Sequence, residues 1–168
     1  MTAHAVTEPL ILGAEEGTPL WFQGNRITIK ATAAATGDAF GLIESMLAPG
    51  YSPPLHVHER EDETFYVLEG EVTIRCGDRT FRATPGACAF LPRGIPHTFV
   101  VEGDRPARML GLMTPGGGEA FFADGGRPAG ADGFPPPAPP DLEHLQRVAR
   151  RFATQIVGPP LNPSPRPA

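Results

Sequence analysis

The 168-residue chain is long enough to bury the core of a single domain, and its 40% hydrophobic and 20% charged residues fit a soluble globular protein. A net charge of −5 with no basic stripe argues against a nucleic-acid partner, and no apolar run approaches the ~20 residues of a membrane span. Two cysteines, Cys76 and Cys88, are too few for a disulfide framework. Together with an N-terminus lacking a basic n-region, they predict reduced, buried thiols in a cytoplasmic protein.

Residues 1–17 read as an N-terminal extension. Short β-like segments separated by turn residues then follow at intervals of roughly 8–12 residues. WFQGNRITIKAT breaks at Gly24-Asn25, and AFGLIESMLA, TFYVLEG, EVTIRCG, TFRAT, ACAFLP, HTFVVEG and ARMLGLMT come after it. Gly70-Glu71, Gly77-Asp78 and Gly103-Asp104 are predicted hairpin turns. The series predicts one all-β sandwich or barrel over residues 18–115. Residues 116–168 read as an extension with short helices and a Pro-rich tail packed on the barrel. Within it, GEAFFADGG could form one or two helical turns. DLEHLQRVARRF has Asp141 as a cap and an apolar stripe of Leu142, Leu145, Val148, Ala149 and Phe152 at helical spacing.

The chemistry-bearing residues cluster in PPLHVHEREDETFYVLEG. Successive strand side chains alternate faces, so His56 and His58 point the same way. Pro53 and Pro54 restrict the approach. Glu63 opens an apolar run, where a carboxylate is costly to bury without a partner. Its face is shared by Phe65 and Val67, and Tyr66 points away. His97 opens another β-like run after the Pro92–Pro96 bend and shares a face with Phe99. Three histidines and a carboxylate form an N/O donor set suited to Fe, Mn, Ni, Co, Cu or Zn, without the thiolates of a closed structural zinc site. Taken singly, each histidine would more often be structural than a ligand, and it is the combination that points to a metal. Glu59, Glu61 and Asp62 are expected in water, Arg93 on a solvated loop, and His4 and His144 as exposed bystanders.

Gly50-x5-His56-x-His58-x4-Glu63-x6-Gly70 and Gly86-x5-Pro92-x-Gly94-x2-His97 resemble the two cupin motifs at every defined position. The second motif departs only at its end, where Val101 replaces an asparagine that is not a ligand. The resemblance implies a cupin-type jelly-roll β-barrel with a short C-terminal helical segment, holding one divalent transition metal through His56, His58, Glu63 and His97. GNRITI before the first motif and PGGGEAFF after the last strand resemble bacterial single-domain quercetin dioxygenases. That likeness implies O2 chemistry on a flavonol-like or other enolisable aromatic substrate, with Glu63 accepting its hydroxyl proton and Phe65 and Phe99 lining its pocket. Phe90, Phe40, Met46 and Met109 are further pocket candidates. The alternatives are a metal-dependent isomerase or decarboxylase of a small polar molecule, or a non-catalytic metal- or ligand-binding cupin. Such barrels often pair, so a homodimer is expected, with the strand around Trp21 as a candidate interface.

Overall fold

The protein is described from a computed structural model covering residues 8–130 and 133–165; His4 lies outside them. Strands β1 (Thr18–Phe22) and β2 (Asn25–Ala31) form a hairpin through Gln23 and Gly24, both at positive φ. A single-turn helix, α1 (Ala33–Thr36), precedes β3 (Gly41–Leu47). The two motifs then supply β4 (Leu55–His58), β5 (Asp62–Glu69), β6 (Val72–Cys76), β7 (Arg79–Ala83), β8 (Cys88–Leu91) and β9 (His97–Val101). Next come β10 (Ala107–Thr114), α2 (Ala120–Gly125), β11 (Arg127–Pro128), α3 (Leu142–Arg151) and β12 (Thr154–Gly158).

The strands form two antiparallel sheets, ordered β11-β1-β2-β3-β10-β5-β8 and β12-β4-β9-β6-β7. Alternation assigns their faces. In β5, Glu63, Phe65 and Val67 are buried while Tyr66 is exposed. In β10 every second residue from Ala107 to Met113 is buried. These inner faces form the apolar core, in which each fully buried aliphatic contributes about 1.5–3 kcal/mol. Only Gly77-Asp78, of the three expected hairpins in this region, closes one, between β6 and β7. Gly70-Glu71 and Gly103-Asp104 instead carry the chain from one sheet to the other. At Gly70, with φ at 74°, a Cβ would stand 2.6 Å from the Pro106 carbonyl oxygen, so the crossing requires glycine.

The C-terminal segment contributes to both sheets. β11 pairs with β1, and β12 pairs with β4; neither strand was expected from the sequence. In the same segment α2 packs on β1 and α3 on β12, with the two helices against each other. Asp141 caps α3 by accepting from the His144 N–H at 2.8 Å. Leu145, Val148 and Ala149 are buried, but Leu142 is 56% exposed. Buried Glu119 accepts from Ala33 N and Gly117 N, both at 2.7 Å. It thereby ties the PGGGE segment to α1. Cys76 packs against the core, whereas Cys88 is exposed on an outer face, contrary to expectation; both are free thiols. No helix among the described residues is long and apolar enough to cross a membrane.

Candidate metal centre

The short strand β4 presents His56 and His58 into the barrel, and β9 presents His97 directly opposite His56. The Pro53 carbonyl accepts from Thr98 Oγ1 at 2.7 Å, pinning the approach to β4 against β9. His56 Nδ1 lies 2.7 Å from the Pro54 carbonyl oxygen, and His97 Nδ1 lies 3.0 Å from that of Ile95. A carbonyl can only accept, so each ring donates from Nδ1 and directs its Nε2 at the cluster. His97 Nε2 and His58 Nε2 stand 3.2 and 3.6 Å from Glu63 Oε2. The four donor atoms all lie within 4.8 Å of one another. Four donors about 2.1 Å from one ion stand roughly 3–4 Å apart, so the set fits a transition metal with little movement. The cluster offers three imidazole nitrogens and one carboxylate oxygen.

Electrostatics separate the two histidines of β4. Burial lowers the His56 pKa to about 4, helped by the neighbouring His97 and His58. Burial also pulls His58 down, but hydrogen bonds and charge from Glu61 and Glu63 outweigh it and raise His58 to about 10. Burial likewise opposes the charge on Glu63, yet His58 and His97 hold its carboxyl well below the usual carboxylate range. Without metal, His58 and Glu63 therefore form an ion pair inside the barrel.

Not every expectation for the surrounding residues is met. Glu61 is 5% exposed rather than solvated, and its Oε1 lies 3.4 Å from His58 Nδ1. Thr154 Oγ1 of β12 is 3.2 Å from the same nitrogen. Glu61, expected in water, and Thr154, singled out by no motif, thus hold the His58 ring from behind. Asp62 is a tether rather than a free charge. It accepts from Arg93 Nε, Nη2 and backbone N at 2.7–3.1 Å, which lowers its pKa to about 2 and turns Arg93 away from any substrate role. Glu59 is exposed, as expected, and is bonded by Gln155.

A cavity of about 960 Å³ opens beside the cluster, walled by Phe65, Phe99, Met109, Met113, Phe22 and Tyr51 among others. Phe65 and Phe99 meet edge to face at 5.5 Å. Phe90 is not part of it, being 62% exposed on the outer face of β8, and Phe40 and Met46 also lie elsewhere. His144 is half-buried and lines the cavity, so it is no surface bystander.

A jelly-roll barrel with three imidazoles and one glutamate converging on its interior defines the cupin class. Residues 43–113 match the family described as the cupin domain. The chain is 26% identical over 149 residues to quercetin 2,3-dioxygenase of Bacillus subtilis, covering 89% of this chain and 44% of that protein. It is 32% identical over 85 residues to the tetracenomycin polyketide synthase protein TcmJ of Streptomyces glaucescens, covering 51% and 56%. The chain thus spans about half the length of these relatives. Among solved structures it resembles a predicted oxalate decarboxylase from Thermotoga maritima, with a TM-score of 0.57 at 22% identity over 62% of this chain and 98% of that one. An RmlC-like cupin from Shewanella frigidimarina gives 0.56 at 17% over 68% and 96%. At such identities these two similarities speak for the fold alone.

Proposed function

We propose that the protein is a cytoplasmic, mononuclear metal-dependent dioxygenase acting on a flavonol-like or other enolisable aromatic compound. The observation that carries this reading is a three-histidine, one-glutamate cluster set in the wall of a large, mainly apolar cavity. The distant likeness to a quercetin 2,3-dioxygenase supports it. A small polar substrate would leave most of that wall unmatched, which disfavours the isomerase and decarboxylase alternatives.

A divalent transition metal held by His56, His58, Glu63 and His97 would supply Lewis acidity toward an enol or phenol oxygen and a place for O2 beside it. The chain's own residues do the rest. Phe65 and Phe99 give a flat ring system two apolar faces and keep water from it. Glu63, ionised at neutral pH, offers Oε2 to the proton of a hydroxyl brought into the cluster. Its low pKa makes it a weak base, and expulsion of water as the cavity fills strengthens it. A homodimer would use the outer face of the seven-stranded sheet, where Met46, Tyr66 and Phe90 are exposed. Trp21 is the weaker candidate, since β1 is paired on both edges and the Arg127 guanidinium lies 5.3 Å from the Trp21 ring centroid.

Protein purified without chelators should carry about one transition metal per chain, lost in a His56→Ala/His58→Ala variant. Anaerobic addition of quercetin to the Ni, Co, Mn and Fe forms should shift its visible absorption, and admitting O2 should then bleach it. Absence of a shift with every metal would defeat the flavonol reading.

A further inference from the structure

The seven-stranded sheet turns its side chains inward in ranks. Glu63, Met113 and Gly41 form the first, level with the histidine cluster. Phe65, Gly111 and Ile43 form the second, and Val67, Met109 and Ser45 the third. The facing sheet keeps the same order along β9, with His97, then Phe99, then Val101. Val101 N donates to the Tyr51 carbonyl at 2.9 Å, which brings Tyr51 to the level of the third rank. The cavity therefore runs from a charged rank past an aromatic one, where Gly111 contributes no side chain, to a rank containing the Ser45 hydroxyl, with the Tyr51 backbone at the same level and its ring against Phe99.

The apolar lining is interrupted there. Ser45 is only 7% exposed, on the inward face of β3, and lines the cavity. Tyr51 also lines it, its ring packed edge-on against Phe99 at 6.1 Å. Among the described residues, neither the Ser45 nor the Tyr51 hydroxyl has a hydrogen-bond partner, and neither is sealed in protein. Hydroxyls placed among apolar side chains are unfavourable unless something pairs with them, and here water or a ligand oxygen in the cavity can do so. Burial raises the Tyr51 phenol far above neutrality, so it stays an O–H donor. Ser45 lies four residues along β3 from Gly41, which is about 14 Å at the rise of an antiparallel strand.

We propose that Ser45 and Tyr51 form a second polar anchor in the cavity. The substrate is then a planar molecule of two or three fused or linked aromatic rings, with an oxygen at each end. One oxygen meets the histidine–glutamate cluster, the rings lie against Phe65 and Phe99, and a hydroxyl or carbonyl at the far end pairs with Ser45 and Tyr51. The anchor stands on the geometry of the third rank alone; the placement of the first oxygen rests on the function proposed above.

The test has two arms, each comparing wild type with Ser45→Ala/Tyr51→Phe, whose fold is checked by thermal unfolding and metal content. In the first, metal-free protein is titrated with 2-naphthol and with 2-methylnaphthalene. The double variant should lose roughly tenfold in affinity for the naphthol, the sum of two neutral hydrogen bonds, and change less than about twofold for the hydrocarbon. Equal losses for both, or none for the naphthol, overturn the anchor. In the second, metal-loaded protein without O2 is titrated with quercetin and with 3-hydroxyflavone, which lacks the distal hydroxyls. The variant should weaken quercetin by a similar factor and spare 3-hydroxyflavone. If the naphthol arm succeeds and neither flavonol binds, the anchor stands and the flavonol function falls. If both flavonols bind and the naphthol arm fails, the function stands and the anchor falls.

Discussion

Two strands hold the histidines, and they are built differently. β9, with His97, is buried at every position and lies between β6 and β4; its five-pair ladder with β6 anchors it in the core. β4, with His56 and His58, is only half-buried and meets β9 at the single pair His56–His97. Its main ladder is with β12, from Thr154–His58 to Gly158–Leu55. One histidine strand is thus secured by the core, and the other by a segment almost a hundred residues further on. The consequence is that metal affinity and core stability can be changed separately.

The largest effect should come from the core side. His97→Ala removes a buried candidate ligand and leaves Glu63 without one of the groups that keep it charged. Stoichiometric metal should be lost altogether on elemental analysis, with destabilisation of about 2–4 kcal/mol by denaturant unfolding. Next is Gln155→Pro in β12. Glu59 N donates to Ala153 O, so by antiparallel alternation Gln155 and Val57 form the next hydrogen-bonded pair, and proline cannot join it. Metal affinity should fall about 10–100-fold in a competition titration while the cooperative unfolding of the barrel persists; unchanged affinity would refute the role given to β12. Glu61→Gln keeps an acceptor behind His58 and removes its charge, so a loss of about tenfold is expected, with Thr154→Val costing less.

The pH dependence sharpens the same contrast. His58 titrates near 10 without metal, and its Nε2 must be deprotonated to bind. His56, near 4, is already neutral. Metal uptake at pH 7 should therefore release about one proton, seen calorimetrically as a heat that varies with buffer ionisation enthalpy. Affinity should rise about tenfold per pH unit up to about 10. The linked stability of metal-free protein has opposite signs at the two residues. The share from raised His58 is present below its unfolded pKa near 6.5 and is lost as pH rises through 10. The share from depressed His56 is present above 6.5 and is lost as pH falls toward 4. The smallest effect belongs to Arg93→Ala, which breaks an exposed pair with Asp62 and should shift Tm by no more than about 2 °C, leaving metal content unchanged.

Alternation by two was enough to read the shared face of His56 and His58, the inward turn of Glu63, Phe65 and Val67, and the outward turn of Tyr66. The same rule, applied to β8, would have placed Phe90 outside, since Ala89 and Leu91 are the buried residues. Glu61 escaped because it lies in the turn between β4 and β5, where no strand parity exists to assign a face. The crossings at Gly70 and Gly103 were illegible for a different reason. A hairpin and a crossing between sheets use the same turn residues and differ only in distant pairings. β12 left a signal, the β-branched residues of TQIVG between a helix end and Pro159, but five residues are short and their partner is remote in sequence.

That remoteness also sets a timetable. Thr154 is 96 residues downstream of His58. At about 5–20 residues per second, a ribosome needs roughly 5–20 s to make the intervening chain. During that interval β4 can join β9 but has no strand on its other edge, and the His58 ring lacks the Thr154 contact behind it. Metal should consequently be captured firmly only after β12 has emerged from the ribosome.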